Sequence, residues 1–551
     1  MKWLSELLKA WRARNTKPAG DLKDDQLDIS EREALVQRYR LTSSLEGNLK
    51  AFKEMIGPSA DITIRLMQLG TKRVPAAIIS VEEFADSQQR DELVHTLTTN
   101  LLSGAFQDSP AHKLPEVITR LVVQSPRINY ADTLDELWKL LLEGFTVILI
   151  DGHEQAIGCA TERVVHRTLQ EPESEPSIRG PRDGFTECLS TNISLIRRRI
   201  RTPNLWAEQF TVGSLTRTRI GVMYIKGLAH EGLIQEIRQR VNRISVDGIL
   251  ESGQIEEFIE DNPTSLFPIV YRTERPDRVA SVLLEGRIAI FTDGTPFVLC
   301  VPTEFSMLLK APDDYYERVP IGSIIGFLRY LSFWASMLLP GTYVATLTFH
   351  HELVPTELLF RIVAAREGVP FPIAMEVFIL EFVFEILREA GLRLPKAVGS
   401  AVTIVGALVL GDAAIGAGLV SPAVVIIISL TAIASFTTAN FAFSIAARLL
   451  RFVFIVLGSL FGLFGIQFGF LLIILILTSM RSFGYPYFAP IGPLVLSDLK
   501  DVFVRTWWWN MVRRPSLVGS REPIRQRPGQ MPRPGLQANR SNKQRASRME
   551  R

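Results

Sequence analysis

Three stretches of this chain are too long and too free of charge to be the core of a water-soluble protein. Residues 397–447 carry a single charge, Asp412; residues 452–480 carry none; residues 321–348 carry only Arg329. Crossing the hydrocarbon layer takes about 20 apolar residues in succession. The runs predict spans at about 321–345, 397–417, 421–440 and 449–480, within a helical integral membrane domain over 319–500. Pro340-Gly341 is placed to kink the first span. The last is long for a bilayer and must tilt or protrude. Gly458, Gly462, Gly465 and Gly469 share one face of it and predict close helix packing.

One apolar stretch breaks the pattern. Residues 376–391, EVFILEFVFEILREAG, set Glu376, Glu381, Glu385 and Glu389 among bulky apolar neighbours. At about 100° per residue, Glu381, Glu385 and Glu389 fall within an arc of about 80°, with Arg388 inside it or beside it. A carboxylate facing lipid at the bilayer centre costs at least ~3 kcal/mol. Three on one arc must therefore meet water, a protein partner or counter-charges. Several copies around an axis would stack them into acidic rings that attract cations. An amphipathic helix lying at the interface would also satisfy them. Glu381 and Glu385 are the leading ion-pathway candidates, followed by Glu376 and Asp412. Desolvation would raise the pKa of Asp412.

The rest of the chain reads differently. Residues 1–40 form a charged lead-in, where Trp3, Leu4, Leu7, Leu8 and Trp11 make one face of a short basic helix suited to an anionic membrane surface or to docking. Residues 41–318 alternate helical and strand-like patterns. LLEGFTVILIDG at 141–152 recurs as LLEGRIAIFTDG at 283–294. Each copy reads as a helix closed by Gly144 or Gly286, a strand, an Asp-Gly turn and a return strand. Two related subdomains, 41–165 and 166–318, follow. The expected fold is thus a soluble α/β region of two related subdomains followed by an α-helical integral membrane domain. Residues 505–551 hold twelve Lys/Arg against two acidic residues, so 501–551 reads as a basic disordered tail. The positive-inside rule keeps that tail cytoplasmic, and the amino-terminal region, lacking an export signal, is expected there too. Both ends inside requires an even number of crossings, which leaves 370–390 as an odd fifth segment.

Little here points to chemistry on a substrate. Cys159, Cys188 and Cys300 are too scattered for a disulfide framework or a zinc cluster. His350 and His351 are adjacent and lack the i, i+4 spacing of a zinc helix. No Walker loop or G-x-S-x-G occurs, and no cofactor, metal or enzyme activity is expected. Arg179 and Arg182 sit in Gly-Pro and Asp-Gly turns. Arg197, Arg198 and Arg199 close a helix beginning near Thr186, either as a solvated, dipole-compatible end or as a surface for an acidic partner such as a neighbouring subunit. Without aromatic interleaving, nucleic acid is not an expected partner. Inverted repeats, the mark of a secondary transporter, are not visible among the spans.

Several segments occur in an order that resembles the A subunit of GerA-type spore germination receptors. They include EPESEPSIRGPRDGFTE (171–187), LIRRRI (195–200), TERPDRVA (273–280), LPGTYVA (339–345), FHHELVPTELL (349–359), FEILREAGLRLP (384–395), IVGALVLGDAAIGAGLVSP (404–422) and RLLRF (448–452). The likeness covers roughly residues 41 to 500. It implies a nutrient receptor in the inner spore membrane, working with a multi-span, germinant-binding B subunit and a C-subunit lipoprotein. It further implies a homo-oligomeric, ligand-gated cation channel, with membrane lipid as its other contact. That implication favours a water-facing position for 376–391. Two departures stand out: Asp412 where Gln is expected, and FTTANFAFS (436–444) without its usual proline.

Overall fold

The computed structural model describes residues 29–69, 73–99, 115–116, 118, 127–162, 171–172, 175, 177, 179–393, 412–438, 440–518 and 522–532. The helix expected at 3–11, most of the span expected at 397–417 and the end of the tail lie outside the described residues.

The first sheet is entered through α1 (Ile29–Arg38) and α2 (Leu45–Ile56), the latter started by Ser44, whose hydroxyl accepts from Gly47 N. Then follow β1 (Ile62–Leu69), β2 (Val74–Val81), α3 (Ser87–Thr99), β3 (Ile128–Ala131), α4 (Leu134–Leu142), β4 (Phe145–Ile150) and β5 (Ala156–Ala160). The order across this antiparallel sheet is β1-β2-β4-β5-β3. Every residue of β4, FTVILI, is buried, because α2 and α4 cover one face of the sheet and α3 the other.

The second sheet repeats the plan. Its elements are α5 (Leu189–Arg199), β6 (Leu205–Val212), β7 (Thr218–Ile225), α6 (Glu231–Arg243), α7 (Ser252–Ile259), β8 (Tyr271–Thr273), α8 (Pro276–Leu284), β9 (Ile288–Thr292) and β10 (Val298–Val301). Its order, β6-β7-β9-β10-β8, matches the first strand for strand. The duplication reaches individual atoms. Asp151 Oδ1 accepts from Leu45 N at 3.0 Å, and Asp293 Oδ1 from Leu189 N at 3.1 Å, so each Asp of the repeated Asp-Gly turn holds the first turn of a helix. Asn48 accepts from Thr42 N and donates to Thr42 O; Asn192 does both to Thr186. Gly152 N reaches Ser43 O, and Gly294 N reaches Glu187 O, both at 2.8 Å.

Short helices α9 (Phe305–Leu309) and α10 (Asp313–Tyr316) lead to the helical region: α11 (Val319–Phe349), α12 (Thr356–Ala365), α13 (Ile373–Arg393), α14 (Pro422–Phe436) and α15 (Phe441–Ser479). Among the described residues, α11 and α15 are long and apolar enough to cross a membrane. Large apolar side chains such as Ile426, Leu430, Ile433, Phe464, Phe468 and Leu471 stand exposed on α14 and α15, as lipid-facing surfaces require and water-facing ones avoid.

The expectation of one long last span is corrected. At Gly462 the backbone leaves helical geometry (φ 59°, ψ −146°), a conformation open to glycine. A Cβ on Gly465 would lie 2.4 Å from Leu457 O, although eight residues of straight helix would separate them by about 12 Å. The element is therefore a helical hairpin with limbs at 441–461 and 463–479. Pro340, by contrast, lies within one continuous α11.

The tail expectation is corrected in part as well. Chain from 481 to 518 packs back on the second sheet as a strap that contains a short hairpin of β11 (Arg481–Ser482) and β12 (Tyr485–Pro486). Ser482 Oγ donates to Ile269 O, Arg514 Nε donates to Leu284 O, and Arg505 Nη1 donates to Asp314 O. Carbonyl acceptors on the second subdomain hold arginines whose charge alone suggested a solvated tail.

Candidate functional site: a carboxylate–arginine ladder among apolar helices

The acidic stripe lies on α13, which packs against α11, α14 and α15. Each of its carboxylates meets an arginine. Glu376 is fully buried; its Oε1 accepts from Arg366 Nη2 at 2.8 Å, and its Oε2 accepts from Ser421 N and Oγ at 3.0 Å each. Ser421 is the residue before α14, so this carboxylate caps the start of that helix from outside. Glu381, also fully buried, pairs with Arg451 of α15. Glu385 accepts from Arg448 Nη1 at 2.5 Å; this rung stays partly open, with the Glu385 side chain 32% exposed. Glu389 pairs with Arg393 at 2.7 Å on the exposed end of α13. Arg388 lies over the Phe436 ring, 4.3 Å from its centroid, and donates to Ser435 Oγ. Because 381 meets 451 and 385 meets 448, α13 and the first limb of α15 run antiparallel.

A backbone vacancy explains the buried arginine. Pro340 has no N–H, so the carbonyl four residues earlier in α11, that of Ser336, loses its helical donor. Arg451 Nε donates to Ser336 O at 2.7 Å. One guanidinium thus serves α11 and α13 from α15. The sequence signals were present separately, in LPG, FILE and RLLRF, but nothing local links them. Arg366, Arg448, Arg451 and Ser421 were not among the site candidates for that reason.

Glycine governs the other contacts. A Cβ on Gly458 would lie 2.4 Å from Gly341 O, and one on Gly341 would lie 2.5 Å from Phe454 O, so α11 and the first limb cross backbone to backbone. Gly465 and Gly469 serve the closure between the two limbs, and Gly462 is the turn itself, packed on His350. The base of the hairpin is aromatic: Phe443 stacks on Phe333 at 4.4 Å, and Phe305 of the α/β region reaches Phe443 at 5.2 Å. Asp412 is exposed.

The arginines of the soluble region divide. Arg179 pairs with Glu317 at 3.3 Å and Arg182 with Glu171 at 3.2 Å, all near the surface. Arg198 is exposed and lies over Phe84, and Arg199 holds Asp183 at 2.5 Å. Arg197 departs from the expectation of a subunit contact. It is fully buried within the chain, where it pairs with Asp61 of the first subdomain, donates to Leu205 O and lies over the Trp138 ring. Cys159 and Cys300 are buried free thiols, each pushed up to about 12 by burial and so not nucleophiles at neutral pH.

Comparison with known proteins agrees over most of the length. The family described as Bacillus/Clostridium GerA spore germination protein matches residues 50–517. Spore germination protein KA of Bacillus subtilis (strain 168) is 44% identical over 91% of this chain and 92% of its own length. A membrane protein of the same organism, YfkQ, is 48% identical over 86% of this chain and 91% of its own. Spore germination protein A1, also from that organism, is 38% identical over 77% and 86%. Among solved structures, the N-terminal domain of the A subunit of the Bacillus megaterium spore germinant receptor GerK3 is 35% identical, covering 48% of this chain and 97% of that one, with a TM-score of 0.38.

Proposed function

Because the chain belongs to the GerA family of spore germination proteins, we propose that it is the A subunit of a nutrient germinant receptor in the inner spore membrane. In this reading several copies surround an axis and form a ligand-gated path for monovalent cations. A germinant-binding B subunit and a C-subunit lipoprotein complete the receptor. The α/β region, 41–165 and 166–318, faces the cytoplasm and couples to the B subunit, with Arg179 and Arg182 at subunit contacts.

The observation that carries the reading is the partly open Glu385–Arg448 rung. Ion pairs inside an apolar bundle are no more stable than well-packed apolar residues, so their presence suits a switch better than a prop. With the rung closed, Glu385 is neutralised by its arginine. A rotation of α13 against α15 would release that carboxylate to water, where it attracts cations. The helix directions support an even crossing number. α11 leaves the α/β region and ends beside the Gly462 turn; α13 and α14 each run back from that side; the hairpin goes out and returns. Counted with the span expected at 397–417, most of which lies outside the described residues, the crossings number six, as both chain ends inside requires.

Replacing Glu385, alone and with Glu381, by Gln should reduce cation flux through reconstituted receptor complexes. Unchanged flux and selectivity would remove both from the mechanism. A second reading, a non-conducting scaffold for the B and C subunits, is favoured by the complete burial of Glu376 and Glu381, which offer no charge to a passing ion. Ion current from purified A-subunit oligomers separates the two.

A further inference from the structure

The strap does more than tie the chain back. Between it and the α8 side of the second subdomain lies a cavity of about 710 Å³, within the size range of small-molecule sites. Its charge is unbalanced. Among the described residues, each acidic side chain lining it is already engaged. Asp277 is held by Arg275 and Tyr316, Glu285 and Glu304 by Arg287, Asp501 by Lys310 and Tyr315, and Asp498 by Ser516. Among the described residues, three lining arginines have no carboxylate at ion-pair distance: buried Arg278 on α8, exposed Arg513 on the strap, and Arg525 on the segment bridged to the strap through Arg513 and Ile524. Arg278 is 7% exposed; its Nη2 donates to Met307 O at 3.0 Å and its guanidinium lies over the Tyr271 ring, but its Nε lacks a hydrogen-bond partner. A buried guanidinium N–H left unpaired is costly, and an anion supplied from outside satisfies it. Arg525 also lies over the Trp508 ring at 5.4 Å, which adds an apolar wall beside the charge.

We propose that this cavity binds a small organic anion bearing carboxylate or phosphate groups, held between Arg278 on one side and Arg513 and Arg525 on the other. Such a ligand joins the two walls and favours the closed strap. The consequence reaches the helices. Arg505 of the same strap donates to the carbonyls of Asp314 and Glu317, immediately before α11, and Asp314 in turn pairs with Arg329 inside α11. Occupancy therefore braces the base of that helix, whatever the membrane region conducts.

The test uses the full-length chain purified in detergent, titrated with citrate and, separately, with inorganic pyrophosphate, each against sodium chloride of equal ionic strength. Calorimetry is expected to give saturable binding of at least one anion, and which one identifies the head group. Arg513→Gln combined with Arg525→Gln should weaken it at least tenfold. Ser281→Trp, which fills the cavity from α8 without changing its charge, should do the same. Both variants should keep the unliganded melting temperature of the parent chain. Absence of saturable binding by either anion, or binding that survives either set of substitutions, overturns the proposal.

Discussion

The buried pair of Glu381 and Arg451 shows how one residue's cost is another's requirement. Removing a single partner leaves an uncompensated charge in an apolar bundle, a loss of ~3–5 kcal/mol. Glu381→Leu should therefore lower thermal stability in detergent strongly. Glu381→Leu with Arg451→Met should recover most of it, short by ~1–3 kcal/mol, since the Ser336 carbonyl again lacks a donor. A double-mutant cycle without coupling would show that the two do not act as a pair. A second titratable group belongs to the soluble region. Burial pushes the Glu175 carboxyl up to about 7, against the hydrogen bond it accepts from Thr273 Oγ1, which lowers it. The raised folded pKa means the folded state holds this proton more tightly than the unfolded chain. The resulting stability is full below about 4.5 and is lost as pH rises towards 7. Glu175→Gln should flatten that part of a stability–pH profile; an unaltered slope would place the proton elsewhere.

At the scale of elements, glycine decides which helices touch. Gly458→Val would drive a side chain into Gly341 O, and the neighbour is backbone, which cannot rotate away. The crossing of α11 and α15 must widen, with an expected cost of ~1–3 kcal/mol or more. Gly326→Ala, on the same α11, meets nothing within 4 Å and should be neutral or stabilising by ~0.5–1 kcal/mol. Equal thermal shifts for the two variants would mean that the close crossing does not limit stability. Gly462 matters differently. The small-residue spacing on 458–469 predicts close packing along one face of one helix. Only a positive φ, which no spacing reports, turns that face into the inside of a hairpin.

At the scale of the whole molecule, the two sheets are locked to each other through Arg197 and Asp61. The lock is reinforced by Trp206 Nε1 donating to Met55 O and by the backbone pair Ala60 N to Ala207 O. Arg197→Ala would strand Asp61 in that interface. The expected loss is ~3–5 kcal/mol in urea unfolding of the full chain; a change of a few tenths would show that the sheets are held by apolar contact alone. The strap gives the molecule its second long-range closure, joining residues near 500 to the base of α11.

Apolar run length, the recurrence at 141–152 and 283–294, and the stripe on α13 could all be read from the residues, since each depends on neighbours a few positions away along one periodic element. The pairing of that stripe could not. Apart from the local Glu389–Arg393 rung, its arginines come from segments ten to seventy residues distant, and which one faces which carboxylate depends on helix direction, a property of the assembled bundle. The fate of the basic tail was hidden for the same reason: charge predicts solvation until folded carbonyls stand within reach. Local pattern fixes what an element is, whereas the partner of a charge is settled only when the chain has closed around it.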